Sequence, residues 1–435
     1  MAATRPENVS AEELPRIIQP VILGADYSAY AYVRAFWEAY RVRPIVVGRD
    51  DIKAVSKSRF CDYRVMPGID HEDHLMEVLG QLGTELCEAG RLAFLVGCGD
   101  FYARIISREK DTLEQWFYTP YIAFELLDYI TQKENFYKVC DECSIAYPMT
   151  RLFDCADPSV QMDDTGFRYP LVAKPSNSAA YHYAEMPDKR KVFYVESRDE
   201  LLRIFDNFQK SNYDHDLILQ EFIPGGDDQL HAVYAYANRH SDPVFLIDGH
   251  VALEDHYPEA IGNAVAIVPE HNEGVLEPAA RFMKHVGYTG MGCFDAKYDQ
   301  RDGTYRFLEM NTRPGRSSWL VLLSGINYAK LMVEDVVLGV DPEPVTPRDD
   351  WAYLAVPQAV IRRYVPESPL KDRLMAAYGN GQASFPMGWR EDSLAQRFWA
   401  DVNYQHQVQK FRRYFHVPED KNDPSPEASA ADGAK

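Results

Sequence analysis

The chain has 435 residues, enough for two to four domains at roughly 100–200 residues each. Its 46 Lys and Arg against 66 Asp and Glu leave a formal charge of −20. That field repels phosphate backbones and argues against general nucleic-acid binding, so an anionic substrate needs cations gathered at its own site. No run reaches the ~20 apolar residues of a membrane helix.

The N-terminal stretch "MAATRPENVSAEELPRIIQP" lacks the apolar core of a signal peptide. Seven scattered cysteines suit reduced thiols and a cytoplasmic location. "PVILGADYSAYAYVRAFWEAYRVRPIVVGRD" (Pro20–Asp50) reads strand, glycine turn, helix, strand, and "LAFLVGCGDFYARIIS" (Leu92–Ser107) repeats the step. Apolar strands alternating with helices predict a parallel sheet. Ligands of such sheets bind beyond the carboxyl ends of the strands, where Asp26 and Asp100 fall as either turn and cap residues or substrate contacts. Neither turn completes G-x-G-x-x-G, which argues against a nicotinamide-dependent oxidoreductase.

"ITQKENFYKVCDECSIAYPMT" (Ile130–Thr150) opens with Thr131-x-x-Glu134, a capping-box pattern, and its helix is expected to end near Ser144. Lys133 falls in the first turn, where the macrodipole disfavours a cation; a nearby anionic partner would explain it, and an ordinary surface lysine is the alternative. Cys140 and Cys143 lack a second pair at zinc-binding spacing and read as buried thiols on one helix face. "YPLVAKPSNSAAYHY" (Tyr169–Tyr183) is a strand ending at Lys174, followed by a small, hydroxyl-rich loop suited to lying over phosphates. "KVFYVESRDELLRIFDNF" reads as a strand, then a helix starting near Ser197. "DLILQEFIPGGDDQLHAVYAYA" (Asp216–Ala237) reads as strand, Gly-Gly turn and second strand, and "PVFLIDGHV" adds another. Antiparallel strands now dominate, which places a boundary near residue 130.

"GCFDAKYDQRDGTYRFLEMNTRP" (Gly292–Pro314) predicts a hairpin. With its loop at Asp299–Gly303, Asp295 shares a face with Glu309 and Asn311. A one-residue slip would remove it from the group. Oxygen-only donors of this kind suit Mg²⁺, and the bland alternative is a solvated edge strand. Beyond it, "NYAKLMVEDVVLG" is helix-like, "VDPEPVTPRDD" is linker-like, and "WAYLAVPQAVIRRYV" looks like a strand pair. Asp392–His416 reads as an aromatic-rich helix, and the end, "DKNDPSPEASAADGAK", reads as disordered.

Four pieces in this order resemble the ATP-grasp superfamily over roughly residues 20–340: the Lys133 helix start, "LVAKPS", "QEFIPGGDD", and "FDAKYD…FLEMNTRPG". The resemblance implies an α/β N-terminal parallel-sheet domain followed by α+β ATP-grasp lobes. The expected organisation is a flexible 1–18, a Rossmann-like domain over 19–130, an ATP-grasp domain over 131–340, a C-terminal extension over 341–418 and a disordered 419–435. It also implies that Lys133 and Lys174 contact ATP phosphates. Glu221 and the backbone of Phe222 and Ile223 would hold adenine, and Asp228 the ribose. Asp295, Glu309 and Asn311 would bind two Mg²⁺, with Arg313 facing the reacting phosphoryl group. The phosphate loop lacks the usual glycines, leaving Ser176, Asn177 and Ser178 as candidates. The tail "NTRPG" is similar to the N-T-x-P-G of D-alanine–D-alanine ligases, whose next residues hold an amino-acid carboxylate. Arg316, Ser317 and Ser318 stand there in this chain.

Within the superfamily, the body of the sequence looks most like the D-aspartate ligase group. That resemblance implies joining the β-carboxylate of D-aspartate to the side-chain amine of the peptidoglycan stem peptide on its nucleotide precursor. Other ATP-grasp carboxylate–amine ligases, and a non-catalytic nucleotide-binding regulatory protein, are the alternatives.

Overall fold

The computed structural model describes residues 6–176, 181, 184–190, 192–257, 260 and 262–415. They fall into two compact units. The first comprises the described residues up to Ile145, Asp227–Ala296 and Glu309–Phe415, and the second those within Ala146–Gly226 and Lys297–Leu308.

The first unit opens with the parallel sheet expected from the apolar runs. Strands β1 (Ile18–Leu23), β2 (Ile45–Gly48), β3 (Asp62–Val65), β4 (Leu92–Gly97) and β5 (Phe117–Tyr118) lie in the order β3-β2-β1-β4-β5, all parallel. Every residue of β1 and β4 is buried, as a sheet covered on both faces requires. Gly24 turns the chain out of β1 at φ +106°, and a Cβ there would sit 3.0 Å from that of Cys98, so only glycine fits without strain. The helix Tyr27–Tyr40 then buries Tyr30, Tyr32 and Phe36. The Tyr32 ring meets that of Tyr328 edge-on at 5.0 Å, and Asn327 donates to the carbonyl of Ala35 at 2.9 Å. One continuous core thus joins this helix to the segment following the hairpin.

A second sheet has the order β14-β13-β10-β11-β12-β15-β16. Its strands are β10 (Leu230–Ala237), β11 (Pro243–Glu254), β12 (Ala264–Glu270), β13 (Gly290–Asp299), β14 (Thr304–Asn311), β15 (Ala352–Leu354) and β16 (Ala383–Ser384). The helix Glu273–Val286 packs against β10 and β11. Toward the C-terminus, the helix Leu394–Tyr414 is tied to the N-terminal sheet domain by the buried Asp392. That carboxylate accepts from Tyr30 Oη at 2.6 Å, Ser58 Oγ at 2.5 Å and the Arg59 amide at 2.8 Å.

The second unit is built on an antiparallel sheet, β6 (Thr150–Asp154), β9 (Asp216–Glu221), β7 (Leu171–Pro175) and β8 (Phe193–Val195), in that order. The helix Arg198–Gln209 covers its core with Phe205 and Phe208. The helix starts at Ser197 as expected, and Ser197 caps it, accepting from the Glu200 amide at 3.4 Å, while Glu200 accepts from the Glu196 amide. Asp299 at the tip of the hairpin is fully buried and is held by Arg301 and Arg306 at 2.6 and 3.0 Å.

Three local expectations are corrected. The Thr131 capping box does not form, because Thr131 closes the preceding helix, donating to the carbonyl of Leu127 at 2.8 Å. Gln132 is the N-cap instead, with no side-chain cap bond. Gly225-Gly226 is not a hairpin turn, since β9 and β10 belong to different sheets. "WAYLAVPQAVIRRYV" is not a strand pair: only Ala352–Leu354 is extended, and Gln358–Tyr364 is a helix with Pro357 at its N-cap. The expected disorder of the C-terminal tail lies outside the described residues.

Candidate active site

Asp295 stands on β13, with Glu309 and Asn311 at the end of β14. Asn311 Nδ2 donates to Asp295 Oδ2 at 3.1 Å, so the hairpin register keeps Asp295 in the group. Burial pushes the Asp295 carboxyl above the usual range, and the negative charge of Glu309 pushes it further. Lys133 begins the helix Lys133–Glu142 and reaches Glu309 Oε2 at 2.9 Å, which supplies the anion its place on the dipole calls for. Burial opposes its charge, and Glu309 together with Tyr137 and Asp295 more than offsets this, lifting its pKa above the ordinary lysine value. Asp295, Glu309 and Asn311 are thus brought together on the hairpin, with the Lys133 ammonium on Glu309. The donor set is all oxygen and carries excess negative charge, which fits a hard divalent cation such as Mg²⁺.

The turn after β14 is packed tightly. A Cβ on Gly315 would lie 2.6 Å from Tyr234 Oη, and that hydroxyl shares a 2.9 Å hydrogen bond with Ser317 Oγ. Arg313 forms a bidentate pair with Asp100, Nε–Oδ1 2.8 Å and Nη2–Oδ2 3.0 Å. Burial works against its charge and Asp100 more than restores it. Asp26 is an N-cap, accepting from the amides of Ser28 and Ala29. Arg316 lies 4.8 Å over the Tyr27 ring and lines a cavity of 240 Å³ within the first unit. Ser317 and Ser318 are buried and are not among the residues lining that cavity.

In the second unit Lys174 is half-buried on β7, paired in register with Ile218 of β9. Ser176 is exposed, its amide bonded to the Asp216 carbonyl at 2.9 Å. Asn177 and Ser178 lie outside the described residues. Glu221 is buried and receives Arg168 at 2.9 Å and Arg301 at 3.2 Å. Phe222 is half-buried beneath the Lys297 ammonium at 5.5 Å, and Ile223 is buried. Asp228, in the first unit, uses its carbonyl to accept from His250 Nε2 at 2.8 Å.

A family model described as carbamoyl-phosphate synthase L chain, ATP binding domain, matches residues 242–334. The D-aspartate ligase of Enterococcus faecium (strain Aus0004) is 31% identical over 410 residues, covering 92% of this chain and 97% of that protein. The chain belongs to the D-aspartate ligase family. Solved structures agree on the fold. The biotin carboxylase domain of a Hydrogenobacter thermophilus 2-oxoglutarate carboxylase gives a TM-score of 0.56 at 14% identity, covering 77% of this chain and 73% of that one. An L-amino acid ligase from Bacillus licheniformis gives 0.53 at 14% identity, covering 77% and 79%. This member of the D-aspartate ligase family is an ATP-dependent carboxylate–amine ligase on an ATP-grasp fold. Among its described residues no helix is long and apolar enough to cross a membrane.

Two groups in this ligase escaped the sequence reading. His231 Nδ1 lies 2.9 Å from Asp248, its ring stacked 4.5 Å from that of His250, which reaches Glu270 at 2.6 Å. Strand alternation puts His231 on the face of β10 opposite to Tyr234. Four separated residues brought together by strand pairing leave no local pattern in sequence. The second group lines the cavity beside Arg316: Asn403, His406, Gln407 and Lys410. Their i, i+3, i+4, i+7 spacing is a one-face helical signal, obscured by the aromatic residues between them. Cys140 and Cys143 are buried as expected, burial raising both thiols.

Proposed function

We propose that the enzyme phosphorylates the β-carboxylate of D-aspartate with ATP and transfers the acyl group to the side-chain amine of a peptidoglycan stem-peptide precursor. A carboxylate oxygen attacks the γ-phosphorus, and ADP leaves. The amine then attacks the acyl carbon, and phosphate departs with that oxygen, leaving an amide. The observation that carries the reaction class is the oxygen-only group of Asp295, Glu309 and Asn311 beside Lys133. The family relationship over nearly the whole chain supports the substrate.

Asp295, Glu309 and Asn311 would hold Mg²⁺, two ions by resemblance to ATP-grasp enzymes, and the metal supplies neutralisation of phosphate charge when bound. Lys133 and Lys174 are assigned phosphate contacts. The backbone of Phe222 and Ile223 with Glu221 is assigned adenine, Asp228 the ribose, and Ser176 and Ser178 the phosphate loop. Arg313 is held in place by Asp100 and offers a preorganised cation for charge developing on the transferred group. Positioning and charge neutralisation are the main catalytic work in such transfers.

The test is incubation with MgATP, D-aspartate and a lysine-containing UDP-MurNAc-pentapeptide, followed by mass spectrometry of the acceptor. The expected product is heavier by one aspartyl residue. An acceptor left unmodified with D-aspartate, but modified when L-aspartate or another amino acid is supplied in its place, would overturn the substrate assignment.

A further inference from the structure

The helix Leu394–Tyr414 buries Ala400 and Phe411 as a packing element does, but it also buries polar residues and exposes apolar ones. Leu394 is 80% and Phe398 59% exposed, whereas Gln396 and Gln407 are buried. Gln396 donates through Nε2 to the carbonyls of Ala54 and Met387, while its Oε1, away from the cavity, has no hydrogen-bond partner among the described residues. Gln407 is only 5% exposed, and its Oε1 has no hydrogen-bond partner among the described residues. A buried amide oxygen left unbonded costs ~1–3 kcal/mol, so its place on the wall of a cavity points to a donor that arrives with a ligand. The same helical face presents Asn403, His406 and Lys410 to that cavity, opposite Arg316 and Asp26.

The charges give the ligand its chemistry. In a chain with formal charge −20, neither Arg316 nor Lys410 makes an ion pair among the described residues. Each rests on an aromatic face instead: Arg316 at 4.8 Å from the Tyr27 ring, Lys410 at 4.7 Å from that of Tyr257. Cation–π support holds a charge in place while leaving its hydrogen-bond donors for another partner. Asp26 spends one oxygen, Oδ1, on its cap bonds, which leaves Oδ2 as an acceptor. Two cations, a carboxylate oxygen and an unbonded amide oxygen match the α-carboxylate and α-ammonium of an amino acid. The volume, 240 Å³, has room for a ligand of amino-acid size.

We infer that the C-terminal helix is part of the amino-acid site, with Lys410 and Arg316 clamping the substrate carboxylate that is not phosphorylated and Asp26 and Gln407 receiving its ammonium. The identity of the ligand as an acidic amino acid rests on the ligase reading above; the pocket itself does not. Lys410 is thereby the residue that makes the enzyme select a substrate with a second carboxylate.

The test is calorimetric titration of the full chain, with Mg²⁺ and a non-hydrolysable ATP analogue present. The probes are D-aspartate and 3-aminopropanoate, which keeps the amine and the β-carboxylate but lacks the α-carboxylate. Loss of a charge-assisted contact predicts that Lys410→Met weakens D-aspartate about 10- to 100-fold. Affinity for 3-aminopropanoate and for the ATP analogue should stay the same, and Lys410→Arg should retain D-aspartate binding. The melting temperature should move little, as Lys410 is half-buried and makes no ion pair among the described residues, its contact being the Tyr257 ring. Wild-type D-aspartate affinity in Lys410→Met, or an equal loss for both amino acids, overturns the inference. A wild type that binds D-aspartate through Lys410 yet ligates nothing overturns the ligase reading and leaves the pocket standing.

Discussion

Replacing Glu309 with glutamine separates a metal-binding role from a structural one. Its side chain is 49% exposed and its ion partner, Lys133, lies at 2.9 Å. A pair this exposed contributes at most about 1 kcal/mol to folding, so melting should fall by no more than ~4 °C. The electrostatic consequence is larger. The group drops from two carboxylates to one, and Lys133 loses the acid that lifts its pKa. Removing an electrostatic group at a reacting centre commonly costs on the order of 10²–10³ in rate. ADP release measured against MgCl₂ concentration should therefore show a turnover lower by that factor and a higher half-saturating Mg²⁺. The pH dependence carries a further sign. Burial, and then the Glu309 charge, raises the Asp295 carboxyl, so Mg²⁺ must compete with a proton and binds better as pH rises through that raised pKa. In Glu309→Gln one of the two raising causes is gone, and the improvement should begin at lower pH. Near-wild-type Mg²⁺-dependent turnover, or a collapse of the fold, would refute the reasoning.

Lys174→Met should weaken a non-hydrolysable ATP analogue by about tenfold or more in calorimetry with little change in melting; unchanged affinity would mark Lys174 as structural. Arg316→Lys keeps the charge but loses the bidentate fork, so KM for D-aspartate should rise while KM for ATP stays put; a defect confined to ATP would contradict the assignment. Asp299 is buried between Arg301 and Arg306, and although burial raises its carboxyl, these arginines hold it well below the usual range. Its stabilisation is complete above the unfolded carboxylate pKa of about 3.9 and is lost as pH falls below it. Asp299→Asn should cost about 3 kcal/mol or more at neutral pH, as breaking a buried pair does, and should flatten the acid limb of a denaturation profile.

What was legible in the sequence follows from how local each signal is. β1 and β4 announce themselves as unbroken apolar runs, and Ser197 as the start of a helix, because both are written within a few positions. The Asp295, Glu309 and Asn311 group needed only one hairpin register, and the tight turn through Asp299–Gly303 fixed it. The capping box at Thr131 misled because a preceding helix claims that residue, which the pattern cannot display. Gly225-Gly226 looked like a hairpin because a turn motif does not say to which sheet the next strand belongs. The cavity beside Arg316 was out of reach for a different reason. It joins Asp26 to Lys410 across nearly the whole chain, and the helix that supplies half of it exposes Leu394 and Phe398 and buries Gln396 and Gln407 alongside Ala400 and Phe411, which blurs the periodicity.

The most direct measurement uses D-aspartate carrying ¹⁸O in its carboxylates, with MgATP and the lysine-containing stem-peptide nucleotide. An acyl phosphate transfers one carboxylate oxygen to phosphorus, so each amide formed should release one phosphate bearing a single ¹⁸O. Release of ADP and unlabelled phosphate alongside amide formation would contradict the acyl-phosphate route and, with it, the reaction assigned to this site.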